Sequence, residues 1–290
     1  MLASLTVLYR GVLSSCNYSC GYCPFAKHQE SAAERQADRR SLRRFTAWAQ
    51  QQSDLALKLF FTPWGEALIR KHYQQALITL SQTAHIEKVV FQTNLSGRLD
   101  FLQQADKNKV ALWVTYHPGE VALVDFLRQI DDLITQQIRF SVGVVGKPSH
   151  FAAITELRAA LAPEIYLWVN AYRSRSRCYP YKPEQFFFLN QIDPLFNINA
   201  QDYQSLGKAC LTGEQVISVD QHGTIRRCHF IDKKLGNIYQ QDYRSVLIPR
   251  PCSRNHCQCH IGYVHMPERQ LYPLFGDGVL ERIPSSVSMS

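Results

Sequence analysis

An α/β fold with a parallel sheet is what this sequence predicts, and three features predict it. Short apolar runs rich in β-branched and aromatic residues recur at 5–9, 57–61, 88–92, 110–115, 138–145 and 165–170, and each reads as a strand. The stretches between them are longer. Residues 67–79, 121–134 and 151–161 carry apolar side chains at helical spacing, and Pro163 closes the last of these. Parallel neighbours need crossover connections of about a dozen residues or more, which six strands alternating with five or six helices supply. That order fits a doubly wound open sheet and a partial (β/α) barrel equally well.

After about residue 200 the rhythm changes. Residues 214–228 alternate around Asp220-Gln221-His222-Gly223, a hairpin turn with its glycine. The last 40 residues hold three cysteines and several prolines without periodicity. Two units are expected, 1–200 and 201–290. Composition narrows the class further. The chain has 290 residues, 46% hydrophobic and 19% charged, which argues against disorder. No apolar run reaches the roughly 18 residues of a membrane-spanning helix, so no membrane partner is expected. The net charge of +8 suits nucleic acid, an anionic cofactor or an acidic peptide, and leaves an RNA partner open. Leu13-Ser14-Ser15-Cys16 loosely imitates a lipoprotein cleavage site. However, the only positive side chain before it, Arg10, falls inside the would-be apolar stretch, so a cytoplasmic protein is expected.

Nine cysteines, an odd number gathered toward the two ends, suit ligand clusters better than a disulfide framework. Cys16, Cys20 and Cys23 follow the first strand within a few residues, and such a triplet arises by chance about once in a thousand starts. Positions i, i+4 and i+7 share one helical face, but Gly21, Pro24 and polar fillers disfavour a helix there. Three thiolates on one short loop can hold three corners of a [4Fe–4S] cube and leave the fourth iron open. Zinc is the competing metal, with His28 available to complete a Cys₃His set.

At these residues the sequence resembles the radical S-adenosylmethionine (SAM) superfamily, whose signature is C-x3-C-x2-C on the loop after the first strand. The resemblance implies a partial (β/α)6 TIM-like barrel with a [4Fe–4S] cluster on Cys16, Cys20 and Cys23, and SAM chelating the open iron. It implies that Tyr22 packs near the adenine. The second strand ends in Thr62-Pro63-Trp64-Gly65-Glu66, where the family commonly has Gly-Gly-Glu; Trp64 replaces the first glycine, so Gly65 and Glu66 carry over as the site for the SAM ammonium. A carboxylate at a strand's C-terminal end suits that role, because barrel active sites gather there. A glutamate favoured at a helix N-terminus is the plainer alternative. Thr93, Asn94, Thr115, Ser141 and Asn170 offer polar groups at further strand ends, and the family uses such positions for the SAM carboxylate and ribose. His117 is read as a loop histidine, and no general base is assigned.

The later cysteines, Cys210, Cys228, Cys252, Cys257 and Cys259, flank and follow the predicted hairpin. They resemble the twitch or SPASM extensions of peptide- and sugar-modifying members, but only five are present against the seven of a full SPASM pattern. One auxiliary Fe–S cluster is implied, with one cysteine to spare. A zinc site drawn from Cys252, His256, Cys257, Cys259 and His260 competes. Cys178 reads as a buried thiol.

Arg39, Arg40, Arg43 and Arg44 read as a solvated helix face. Arg173, Arg175 and Arg177, beyond the last strand, are expected to help hold an anionic substrate group. By resemblance, the activity is reductive cleavage of SAM to a 5′-deoxyadenosyl radical that abstracts hydrogen from a peptide or protein side chain. A flavodoxin- or ferredoxin-type protein would supply the electron. RNA or a small metabolite is the alternative substrate, and a non-catalytic zinc or Fe–S module for nucleic acid is the rival of another class.

Overall fold

The computed structural model describes residues 3–25, 28–174 and 177–286. Strands β1 (Ser4–Arg10), β2 (Ala56–Phe61), β3 (Ile86–Thr93), β4 (Val110–Tyr116), β5 (Arg139–Val145) and β6 (Leu167–Asn170) match the six apolar runs. Each pairs in parallel with the next. Helices α1 (Ala32–Gln51), α2 (Lys71–Ser81), α3 (Leu123–Thr135) and α4 (Phe151–Ala160) make four of the crossovers. The β3–β4 crossover has no α-helix; its 16 residues hold one 3₁₀ turn, Asp100–Gln104.

Beyond β6 lie a two-stranded ribbon of β7 (Arg173–Ser174) and β8 (Arg177–Cys178), helix α5 (Pro183–Ile192), and β9 (Tyr203–Gln204). The expected hairpin forms from β10 (Val216–Asp220) and β11 (Thr224–Arg226) and is extended by β12 (Lys234–Asn237). Its turn depends on Gly223, whose φ of +77° lies in the left-handed region. A last short strand, β13 (His256–Cys257), pairs with β9. Strand β10 joins β1 in parallel, so the hairpin continues the main sheet, which has nine strands in the order β12-β11-β10-β1-β2-β3-β4-β5-β6.

The order β1 to β6 is sequential. Right-handed crossovers that always step the same way put every helix on one face, whereas a doubly wound sheet needs a point where the order reverses. The core agrees. Leu5, Val7, Leu57, Leu59, Val89 and Phe91 pack with Leu42, Phe45, Leu77, Phe126 and Ile154 of the helices. The alternate residues Leu8, Phe60, Val90, Trp113 and Trp168 pack instead with Ile261 and Leu280 of the C-terminal segment. Burial on both faces explains why the strands read as unbroken apolar runs. The sheet is open, since β6 and β12 lie at opposite edges. No helix among the described residues is long and apolar enough to cross a membrane.

An ion-pair network fixes the C-terminal segment to the inner face. Glu281, fully buried, accepts from Lys88 Nζ at 2.8 Å and Arg139 Nε at 2.7 Å. Its backbone carbonyl accepts from the buried Ser141 hydroxyl. Lys88 and Arg139 also reach Asp277, at 2.6 and 3.5 Å, so losing Glu281 removes charge-assisted hydrogen bonds without stranding either cation. Glu281→Ala is therefore expected to lower folding stability by about 2 kcal/mol in urea unfolding.

Candidate functional site

The loop after β1 carries the first three cysteines, and two buried carboxylates shape it. Asp38 sits on the buried face of α1 and accepts from the Leu13 N–H at 3.2 Å, Tyr73 hydroxyl at 2.9 Å and His72 Nε2 at 2.8 Å. Glu30 accepts from the Ser14 N–H and the Ser15 hydroxyl, both at 2.7 Å. Arg70 adds a hydrogen bond to the Ser15 hydroxyl at 2.8 Å. Sequence reading missed both acids. Asp38 gave a signal, since it shares the helical face of Leu42, Phe45 and Ala49, where an unpartnered acid would be costly.

The stretch so held runs beside the end of β2. Trp64 N–H donates to the Leu13 carbonyl at 3.2 Å, and Glu66 N–H to the Ser15 carbonyl at 3.3 Å. Between these two bonds lies Gly65. A Cβ there would meet the Ser15 carbonyl oxygen at 1.8 Å, so only glycine allows this approach one residue before Cys16.

Cys16, Cys20 and Cys23 line a cavity of about 230 Å³ together with Tyr18, Gly65, Glu66, Asn94, Thr115 and His117. The Cys16 sulfur accepts from the Tyr18 N–H at 3.4 Å, and the Asn94 amide approaches it at 3.7 Å. Burial pushes the Cys16 thiol up and the Cys20 thiol up to about 11. Glu66 is buried and accepts from the Thr93 hydroxyl at 2.9 Å, the Asn94 N–H at 2.6 Å and the Leu68 N–H at 2.9 Å. Burial raises its pKa, and these three donors pull it back toward the carboxylate. A carboxylate has about four acceptor positions, so these three donors leave one.

His117 belongs to this cavity, beyond the loop role read from sequence. Its Nδ1 lies 2.7 Å from the Tyr22 hydroxyl and 3.4 Å from the Cys20 sulfur. Burial holds the His117 pKa down to about 4, which keeps the ring neutral. Tyr22 stacks nearly parallel to His117 at 13°. Ser141 is committed to the Glu281 carbonyl and to Trp168 Nε1, under the C-terminal segment. Asn170 is exposed and meets the Asn199 amide at 3.4 Å. Neither lines the cavity. Trp64 does, and the Arg10 guanidinium stacks on it at 4.1 Å.

The five later cysteines gather around Cys257, within electrostatic reach of it. Burial first, and then the neighbouring thiols of Cys259, Cys228, Cys210 and Cys252, push Cys257 up to about 12. Backbone bonds between Gly207 and Cys252 and between Cys252 and Lys208 bring that cysteine alongside. Cys259 differs, in that burial raises its pKa while the guanidiniums of Arg10, Arg282 and Arg173 lower it. His260 is packed against Trp113, Tyr263 and Phe275. Cys178 is half-buried rather than buried. Among the described residues no group of three or more His, Cys, Asp or Glu side chains is gathered closely enough to hold a metal ion.

Arg39, Arg40, Arg43 and Arg44 are exposed on α1, as a solvated face requires. Arg173 is tied to Asp202 and to the Gln201 carbonyl, Arg177 is exposed, and Arg175 lies outside the described residues.

No family model matches the chain, and no curated protein matches it in sequence. Solved structures do match in shape. Native anSMEcpe with bound AdoMet and Cp18Cys peptide superimposes with a TM-score of 0.52 at 13% identity, covering 84% of this chain and 82% of that one. Native anSMEcpe with bound AdoMet gives 0.52 at 14% identity, over 84% and 83% of the two chains. At this identity the likeness shows a shared fold, an α/β architecture around a large, mostly parallel sheet.

The Gly65 contact yields a direct test. Gly65→Ala should lower the unfolding midpoint markedly, because the displaced group is backbone. Gly21→Ala, where an added Cβ meets nothing within 4 Å, should leave that midpoint unchanged.

Proposed function

We propose that the protein is a radical SAM enzyme whose sheet acts as the family's partial barrel. The observation that carries this reading is the shared cavity: three thiols from one loop line it together with the buried Glu66 carboxylate after β2, the Asn94 amide after β3 and the Thr115 hydroxyl of β4. Three thiols lining one cavity support a [4Fe–4S] cluster, even though among the described residues no three ligands close around a single point as one metal ion would need. The three sulfurs stand beside different neighbours, Cys16 by Asn94, Cys20 by His117 and Cys23 by the Phe25 carbonyl. Spread around a cavity, they suit one corner each of a cube better than a lone zinc, which draws sulfurs to about 2.3 Å of one point.

When bound, the cluster supplies one electron to SAM, whose reductive cleavage gives the 5′-deoxyadenosyl radical that abstracts a substrate hydrogen. The chain's own part is to bind and orient. Cys16, Cys20 and Cys23 would hold three irons. Glu66, with one acceptor position left, would take the SAM ammonium, and Gly65 would let its backbone approach. Asn94 and Thr115, on the same wall, offer polar contacts to the rest of the cofactor. Trp64 and Phe25, 4.6 Å apart, would shield the cavity mouth from water.

The grouping of Cys210, Cys228, Cys252 and Cys259 around Cys257 supports one auxiliary Fe–S cluster, which needs four of the five thiols. A peptide or protein side chain is the proposed substrate, a reading supported by the Cp18Cys peptide bound to anSMEcpe. A flavodoxin- or ferredoxin-type protein is the proposed electron donor.

Anaerobically reconstituted protein given SAM and dithionite is expected to form 5′-deoxyadenosine, and Cys16→Ala to form none. Zinc-loaded protein that ignores SAM would refute the proposal. Glu66→Gln should weaken SAM binding about tenfold in calorimetry, on the scale of a hydrogen bond to a charged group.

A further inference from the structure

The residue before the third cysteine carries a hydroxyl whose position its ring does not explain. Tyr22 hydrogen-bonds Cys20, and the same hydroxyl lies 2.7 Å from His117 Nδ1. Nδ1 is in turn 3.4 Å from the Cys20 sulfur, so hydroxyl, imidazole and sulfur form a triangle. Cys20 is the most buried of the three loop cysteines. His117 is fixed on its other sides, with Tyr18 packing edge-on at 5.9 Å and Tyr22 nearly parallel. His150 packs edge-on against Tyr22 at 5.1 Å. The arrangement ties the loop after β1 to the loop after β4, independently of the Gly65 seam.

We propose that the Tyr22 hydroxyl, oriented by His117, donates a hydrogen bond to the Cys20 sulfur and thereby sets the reduction potential of the cluster on that loop. This inference rests on the radical SAM reading above. At 2.7 Å one hydrogen lies between the Tyr22 hydroxyl and His117 Nδ1. If the hydroxyl directs its own hydrogen to sulfur, the one between them belongs to Nδ1, so the imidazole donates and the hydroxyl oxygen accepts. An iron-bound thiolate gains electron density on reduction, so a donor aimed at it favours the reduced state. Tyr22 is then a positioning residue that acts through Cys20, in addition to any packing by its ring.

Tyr22→Phe separates the two roles, because it keeps the ring and removes only the hydroxyl. The measurement is a redox titration of the anaerobically reconstituted protein, followed by electron paramagnetic resonance without SAM or substrate. Tyr22→Phe should load iron and sulfide as the wild type does. Its reduction equilibrium should shift about tenfold against the reduced form, about 59 mV more negative for one electron. His117→Ala should shift it in the same direction, since the hydroxyl loses its orienting partner. An unchanged potential in a fully loaded Tyr22→Phe protein would overturn the proposal. Should that variant fail to load, His117→Ala decides by the same criterion. A wild type that takes zinc and no iron would sink the radical SAM reading itself.

Discussion

Residues 13–15 run beside residues 64–66 with two backbone hydrogen bonds and a glycine between them. The contact is close because Gly65 lacks a Cβ, and a methyl group there would overlap a backbone carbonyl that cannot swing aside. Through it the cysteine loop after β1 faces Glu66 after β2. Without that seam the thiols and the carboxylate would be unrelated features of neighbouring loops. With it they face one cavity.

The seam has its own support, built from charge placed where water does not reach. Asp38 and Glu30 together hold the backbone N–H groups of Leu13 and Ser14 and the hydroxyl of Ser15. Each is satisfied by hydrogen-bond donors, which is what makes a buried carboxylate tolerable. The opposite end of the sheet repeats the device, with Glu281 anchoring the C-terminal segment between Lys88 and Arg139. That segment takes the inner face, where a doubly wound protein would have helices, and the cavity lies beyond the strands' C-terminal ends.

Much of this was legible in the sequence. The six strands were, because strands buried on both faces leave unbroken apolar runs. The hairpin was, through Asp220 and Gly223. The cysteine triplet, Gly65 and Glu66 were legible through local motifs, and Asn94 and Thr115 as polar strand ends. Ser141 looked the same from sequence, but a strand position cannot tell whether its hydroxyl will be taken by a segment 140 residues away. The C-terminal segment itself was not legible, since it packs through scattered side chains with no period. A helix between β3 and β4 was expected from the general rhythm, and the connection instead holds one 3₁₀ turn, for which its residues carry no separate signal. His117 was underestimated because its importance comes from Tyr22 and Cys20, about 95 residues away in sequence.

The central claim is that the three thiols and Glu66 serve one ligand. The most direct test is the electron paramagnetic resonance spectrum of the reduced, reconstituted protein before and after SAM is added. The account predicts that SAM alters the cluster signal of the wild type, and that Glu66→Gln needs a higher SAM concentration for the same change. A fully loaded wild-type cluster whose signal ignores saturating SAM would contradict it.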